Sequence, residues 1–578
     1  MAYNYDNRNK TMLFERTLIP LLIFYATFTQ EGGNKLLPDE LDSGLVGYWK
    51  LQGDCRDYSG KGNHGINHGA NLETGKFNGK DSYIEVSDNP SINFGTGDFS
   101  ISAMVYTEKD IDDVIGDILS KYDPQNRKGF TLSIKSSSCG YNSHGDNKHV
   151  YFGIDNAKLS DWVDCGRPNE VSNYVNGMTV FDGKLYVGTA EAEKEEDWCH
   201  VYRYEGGQKW IDCGRVGDLR TTGIGPMIVH DGNLYAATWV YDWTRSMTGN
   251  YDPSHIYRYE GGKEWTDCGQ PGDDRRIMCI ASYKGNLYVA GRETYKAYVY
   301  EGGKEWRVSY EFPVDGPRKC APHAMGIHDG KLYVGYPAIY SFDGSKWEYV
   351  GVPVECTQVH SMEVYKGNLY AGTWPEGKAA MYKESEDWED CGRLGKSTEI
   401  NALTVYNGKF YAGSIPYAEV YRYEGCKEWT LMKRFLPQDI YSSPGFEQDS
   451  KAWARLTGLT VYDGKLFAGI GSCTSSIQDA PCDIRGRISY IEAGKNVSYD
   501  QDIGSGWKHI TAVREDGKMK LYIDSKLMAV SSTFDPKEYD VSNDESLKIG
   551  FGELDYFSGK IKEVRIYNRA LIADQTYE

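Results

Sequence analysis

The sequence predicts an all-β protein in which a seven-bladed β-propeller is inserted into a jelly-roll sandwich. Three observations predict it. Tyr (46), Gly (65) and Trp (14) are abundant, and these residues suit pleated, half-buried surfaces and the turns between them. One unit recurs seven times through the middle of the chain. The flanks lack that unit but alternate apolar and polar residues with period two.

At the N-terminus, Lys10 and Arg16 precede the apolar run Leu18–Ala26. That is the n-region and h-region pattern of a secretory signal. Met12 is an alternative start with better proportions. Ala26-Thr27-Phe28 is not a small-x-small cleavage site, and the alternative reading is a buried strand or short helix. Residues 1–40 are therefore read as a signal peptide or N-terminal extension, and the protein as secreted or extracytoplasmic.

The first flank, 41–148, carries Leu45–Trp49, Tyr83–Val86 and Asp98–Val105 as alternating runs. The repeat follows over 149–478. Its first half is an apolar stretch, a Gly turn and Leu/Phe-aromatic-small, at Gly183, Gly232, Gly285, Gly330, Gly367, Gly408 and Gly464. Its second half reads x-V-Y-x-Y-E-G-G-x-x-W and ends on Trp162, Trp210, Trp265, Trp306, Trp347, Trp388 and Trp429. The halves alternate strictly. Four short strands per unit, at a period of about 40–45 residues, are the signature of propeller blades. The orphan second half from His149 to Trp162-Val-Asp-Cys165 and the orphan first half Leu459–Ile470 are expected to complete one blade, closing the ring without open edges. A linear solenoid would need no matching orphans. The second flank, 479–578, carries Gly506–Ile510, Met519–Asp524, Leu547–Gly550 and Phe557–Leu571. Neither flank alone fills a sandwich, so the two should pack as one domain.

The net charge of −19 excludes a general nucleic-acid surface, because that affinity rests on neutralising phosphates. No body segment is apolar enough for a membrane span. Thirteen Cys leave at least one unpaired. Cys473 and Cys482 are the expected local disulfide. The cysteines of the Trp-x-Asp-Cys motifs (Cys165, Cys213, Cys268, Cys391) fall on separate blades and are expected to be buried packing groups.

Counting back from each turn glycine places Asn176, Arg276, His323, His360, Glu399 and Arg455 at the channel rim opposite the Asp-Gly turns. The loops between second and third strands on that side add Trp239, Asp242, Trp243, Arg245, Tyr251, Asp252, Arg292, Tyr295, Tyr336, Trp374 and Tyr417. Flat aromatics beside Arg, His and carboxylates suit a sugar, and paired Arg suits an anionic one. The expected function is a secreted carbohydrate-binding protein with a glycan or polysaccharide at this mouth. One alternative is a polysaccharide lyase, with His323 or His360 as catalytic groups beside a Tyr. Another is a glycoside hydrolase using two of Glu399, Asp242 and Asp252. A protein-interaction scaffold is a third class. His323 and His360 are otherwise structural, and Arg276 and Arg455 otherwise blade-to-blade ion pairs. His149, His200 and His255 are expected to be structural positions. His230 and His328 lie on the turn side, away from the mouth. No cofactor is required by these motifs, and the oligomeric state is not encoded in them.

The flanks resemble the two parts of a laminin-G-like, concanavalin A-like jelly roll. The resemblance covers roughly 45–145 and 482–575 and is closest at Gly559-Lys-Ile-Lys-Glu-Val-Arg565-Ile-Tyr-Asn-Arg-Ala-Leu571. It implies recognition of glycans or protein partners rather than catalysis, so the sandwich is expected to be an accessory module. It also implies Ca²⁺ at the oxygen-rich loop Asp57-Tyr-Ser-Gly-Lys-Gly-Asn63-His-Gly65. The alternative is a Gly-rich turn in which Asp57 caps backbone groups.

Overall fold

Two seven-stranded sheets face each other in the sandwich, and each takes strands from both flanks. The first runs in the order Leu45–Trp49, Ser558–Tyr567, Phe99–Thr107, Gly506–Glu515, Lys518–Ile523 and Lys526–Val530, with Lys76–Asn78 also on Ser558–Tyr567. Its central pairing is unbroken from Gly506↔Thr107 to Arg514↔Phe99, so the flanks share one ladder. The second runs Gly65–His68, Tyr83–Val86, Leu547–Ile549, Gly116–Asp123, Lys128–Cys139, Ser143–Leu159 and Ala493–Tyr499. Between the sheets, Trp49, Phe99, Phe130, Phe152, Ile510 and Ile561 form the core. The computed structural model describes residues 43–572, apart from 140–142, 193, 241–249, 438–453 and 473–483. The signal-peptide reading and the Cys473–Cys482 pair lie outside those residues.

Among the described residues the repeats form seven four-stranded antiparallel blades whose innermost strands neighbour one another in cyclic order. Those strands are Tyr174–Phe181, Gly223–His230, Ile277–Tyr283, Cys320–His328, Gln358–Tyr365, Glu399–Tyr406 and Ala454–Tyr462, in the first to seventh blades. The repeated Trp indoles fasten one blade to the next. Trp210 donates to the Cys165 carbonyl at 2.9 Å, Trp265 to Cys213 at 2.9 Å, Trp306 to Cys268 at 2.8 Å and Trp429 to Cys391 at 3.0 Å. The four motif cysteines are buried free thiols. The motif Asp accepts the following Gly N–H, as in Asp212 to Gly214 at 2.9 Å and Asp267 to Gly269 at 2.9 Å. It also holds the His that opens the third strand, His200 at 3.0 Å and His255 at 2.8 Å. Those two histidines are structural.

Ring closure differs from the two-plus-two arrangement expected. The closing blade takes three strands from the C-terminal side, Ala454–Tyr462, Lys465–Ser472 and Ile488–Ile491, and only Val163–Asp164 from the N-terminal side. The segment from His149 is not a blade strand. It belongs to Ser143–Leu159, which pairs with Lys128–Cys139 and Ala493–Tyr499 in the sandwich. The propeller therefore spans roughly 163–491 rather than 149–478. The physical reason is that a period-two run fits either domain equally well; long-range pairing decides its place.

The hairpin Lys128–Cys139/Ser143–Leu159 outruns its sheet and enters the ring. Its Ser143 and His144 pair in parallel with Ile280 and Ala281 of the third blade. The Asn147 amide donates to the Val180 carbonyl of the first blade at 3.0 Å. Asp146 accepts from Asp231 N at 2.8 Å and Ser282 Oγ at 3.0 Å. Lys135 forms a buried ion pair with Glu363 of the fifth blade at 3.0 Å and touches Thr404 of the sixth. His144 and His149 are buried along the hairpin, and burial depresses them to about 4 and about 3.

All seven turns between first and second strands rest on the sandwich. The residue before each turn glycine has φ of 41–51° and the glycine 66–75°, the double positive φ of a type I′ hairpin. Hydrogen bonds of 2.8–3.2 Å join these turns to Asp500, Asp146, Ile111, Asp113, Glu553 and Ile154. Among the described residues, no sandwich strand pairs with the blades on the face opposite these turns.

Candidate functional site

The mouth on that face is built from the first residues of inner strands and the last residues of second strands. His323 and His360 come from the fourth and fifth inner strands, and their rings lie 4.1 Å apart, edge to face. Tyr336, at the end of Lys331–Pro337, packs its ring 5.3 Å from His323. Arg292 donates to the Tyr336 hydroxyl at 3.1 Å. Glu399 opens the sixth inner strand, with Oε1 2.9 Å from His360 Nδ1. On the other side of Glu399, Arg455 of the seventh blade stands at 3.9 Å. His360 Nε2 meets Gln358 Oε1 at 2.6 Å. These groups are recessed: Glu399 and His323 are each 3% exposed.

The charges act on one another. Burial pushes the Glu399 carboxyl up, but His360, Arg455 and Arg292 outweigh it and hold the group below its usual range. Burial, then His360 and the cations Arg292, Arg276 and Arg455, push His323 well below the ordinary imidazole value, so it is neutral. Glu293 is raised to about 7 by burial, with Asp274 adding to the rise and Arg276 opposing it. Asp274 accepts from the Glu293 and Thr294 N–H groups at 2.7 and 2.8 Å. A neutral imidazole, a neighbouring imidazole against a carboxylate, a tyrosine and several guanidiniums can bind an anion and can move a proton beside it.

Of the residues expected at the mouth, Arg276, Arg292, His323, His360, Glu399 and Arg455 fall into this one electrostatic cluster. Others do not. Asn176 is fully buried, and its amide donates to the Ile224 carbonyl of the next blade at 2.8 Å. Trp239 has no exposed surface and packs with Tyr174, Ala190 and Met278. It offers no face to a sugar and instead lies under the Arg276 guanidinium at 5.6 Å. Tyr417 is buried with Ala418, Leu436 and Ala454. Tyr251 lies beneath Arg220 at 5.1 Å, and Asp252 accepts the Arg220 N–H at 2.7 Å. Trp374 ends the second strand of the fifth blade and pairs with Gln358. Asp242, Trp243 and Arg245 lie outside the described residues. Sequence reading missed Gln358, Glu293 and Asp274. Gln358 was findable, since it lies two residues before His360 on the same strand face.

The sandwich loop expected to hold Ca²⁺ is built as a hydrogen-bonded turn around Asp57, with the Asn63 Oδ1 buried and without a hydrogen-bond partner. Both Asp57 oxygens face hydrogen-bond donors: Tyr48 N at 2.9 Å, Ser59 N and Oγ at 2.8 Å each, and Asn63 N at 2.9 Å. Asn63 donates to the Val46 carbonyl at 2.7 Å. Donors converging on a carboxylate do a cation's work, so Asp57 organises the turn.

A cleft of about 580 Å³ lies between the seventh blade and the sandwich edge, lined by residues such as Asp463, Ser498 and Met528. It is remote in the fold from the cation cluster. Among the described residues no helix is long and apolar enough to cross a membrane.

Residues 450–575 match the concanavalin A-like lectin/glucanases superfamily. No curated protein matches the chain in sequence. Among solved structures, a catalytically inactive variant of virginiamycin B lyase from Staphylococcus aureus, with quinupristin, is similar at 13% identity and TM-score 0.43, over 58% of this chain and 99% of that one. The PQQ-bound aldose sugar dehydrogenase from Streptomyces coelicolor is similar at 12% identity and TM-score 0.36, over 59% and 99%. The WD40 β-propeller domain of Doa1 is similar at 10% identity and TM-score 0.36, over 58% and 97%.

Proposed function

We propose that this mouth of the propeller binds an anionic saccharide, of the kind that carries uronic-acid carboxylates, and that the protein is an extracellular glycan-binding protein. The observation that carries this reading is the gathering of Arg276, Arg292 and Arg455 around Glu399 and His323 in a chain of net charge −19. Guanidinium groups match carboxylates in planar, two-point geometry. The lectin-like match of the sandwich supports a carbohydrate-binding or protein-interaction module beside the ring. The test is a panel of neutral and uronic-acid polysaccharides titrated against the full chain. Binding confined to the acidic members, and lost in Arg276→Ala and Arg455→Ala, is the expected result. Equal binding of neutral glycans, or none of any, refutes it.

The His360–Glu399 contact supports a second reading, β-elimination from a bound uronic acid. His323, held neutral, would take the proton alpha to the carboxylate while Arg neutralises the charge that develops; the double bond forms as the bond from the beta carbon to the glycosidic oxygen breaks, and Tyr336, beside His323, would give the departing oxygen its proton. Unsaturated sugar ends appearing with the wild type and not with His323→Ala would favour this reading. Binding without product would leave the lectin-like one.

A further inference from the structure

We propose that Asp113, Asp555 and His328 form a binding site for one divalent cation of the zinc type, pinning the inserted propeller to its host sandwich. One ligand atom from each lies within 4.8 Å of the other two. They come from three separated segments. Asp113 lies in the sandwich loop before Gly116–Asp123, and Asp555 in the loop before Ser558–Tyr567. His328 ends the inner strand of the fourth blade.

Two unsatisfied atoms point to a ligand. Asp555 has no exposed surface. One of its oxygens accepts its neighbour's N–H, Tyr556 at 2.8 Å, while Oδ2 is buried without a hydrogen-bond partner. The His328 Nδ1 is buried without one as well. A buried carboxylate oxygen and imidazole nitrogen left unmade each cost free energy, and a shared cation satisfies both. Acid crowding adds to the case. Asp117 lies beneath the same loop and accepts from Leu554 and Asp555 N–H at 2.8 and 3.2 Å. Lys80, the cation at this edge, is engaged by Asp329 at 2.5 Å. Asp113 is already oriented, its Oδ1 accepting from Val114 and Asp329 N–H at 3.0 Å.

One imidazole with two carboxylates is an N/O donor set that suits Zn²⁺. Bonds of about 2.0–2.2 Å to such an ion require only sub-ångström closing of the three side chains. Water would complete the shell.

The experiment uses the full chain, stripped with chelator and dialysed against Zn²⁺, with bound metal and thermal unfolding measured together. The expected result is one tightly held zinc per chain and a raised unfolding temperature. His328→Gln and Asp555→Asn should each lose that equivalent, while His200→Gln, at a different histidine–carboxylate pair, should keep it. His328 is half-buried at a turn, so His328→Gln keeps the test decisive if Asp555→Asn fails to fold. Wild-type chain without a stoichiometric zinc, or His328→Gln retaining it, overturns the proposal.

Discussion

The two faces of the ring begin from one repeat and end in opposite states. On the sandwich side every blade finishes in the same type I′ turn, and every turn is hydrogen-bonded to the host. Charges there are matched across the interface, as in Lys135 with Glu363. On the other side the connections vary in length and composition, and the polar groups at the mouth face one another. Arg292, Arg455 and His360 gather about Glu399, with His323 against His360. Repetition marks the surface committed to docking, because each blade must meet the same partner at the same height. Irregularity marks the surface free to vary with a ligand.

That contrast is broken most severely at the docked side. Lys135→Ala strips Glu363 of its buried cation and should cost about 3–5 kcal/mol, measured by denaturant unfolding. Hydrogen exchange should show the first loss of protection along the hairpin and the fifth and sixth inner strands. If the loss is spread evenly, the hairpin is not the organising contact. Next in size is the open side. Arg455→Ala should weaken binding of a uronic-acid polysaccharide by about 10- to 100-fold, from the roughly 1.5–3 kcal/mol of a charge-assisted hydrogen bond, with little change in unfolding temperature. The opposite pattern, stability lost and affinity kept, would make Arg455 a blade-to-blade tie. A smaller effect tests the blade fastening common to both faces. Trp265→Phe removes the indole bond to the Cys213 carbonyl and should cost about 1 kcal/mol by thermal unfolding, with binding unchanged.

The least effect is a pH dependence. Glu293 is raised to about 7 beside Arg276. As pH falls through about 7, Glu293 takes up a proton, a negative charge leaves the mouth, and an anionic saccharide should bind more tightly. Glu293→Gln should flatten that rise in a titration series from neutral to mildly acidic pH. For stability the same group acts in the same direction. Its folded value lies above its unfolded one, so its contribution is present in full below the unfolded value and is lost as pH rises through about 7.

The blades were legible because glycine turns and indoles recur at fixed offsets, and the register they set placed Arg276, His323, His360, Glu399 and Arg455 in one cluster. The seventh blade's third strand carries a weakened copy of the repeat, Ile488-Ser-Tyr490-Ile-Glu492-Ala-Gly494. Its expected Trp is missing from the following residues because the fourth strand comes from the far end of the ring. His149-Val-Tyr-Phe-Gly imitates that strand more closely, yet it pairs in the sandwich. Loop aromatics were misjudged for a related reason. Trp239 and Tyr417 have the composition of a sugar platform, but burial depends on neighbouring blades, which local pattern does not report. His328 lies on the turn side, as expected; its carboxylate neighbours lie more than two hundred residues away in sequence, so local pattern does not report them.

The hairpin that enters the ring from the sandwich makes the toroid a well with a floor. Its described residues reach the first, third and fifth blades, so a polymer threaded through the ring would meet this hairpin. On the proposed reading, a glycan would reach His323 and Glu399 from the open end, so chain ends and side branches are the parts that would enter.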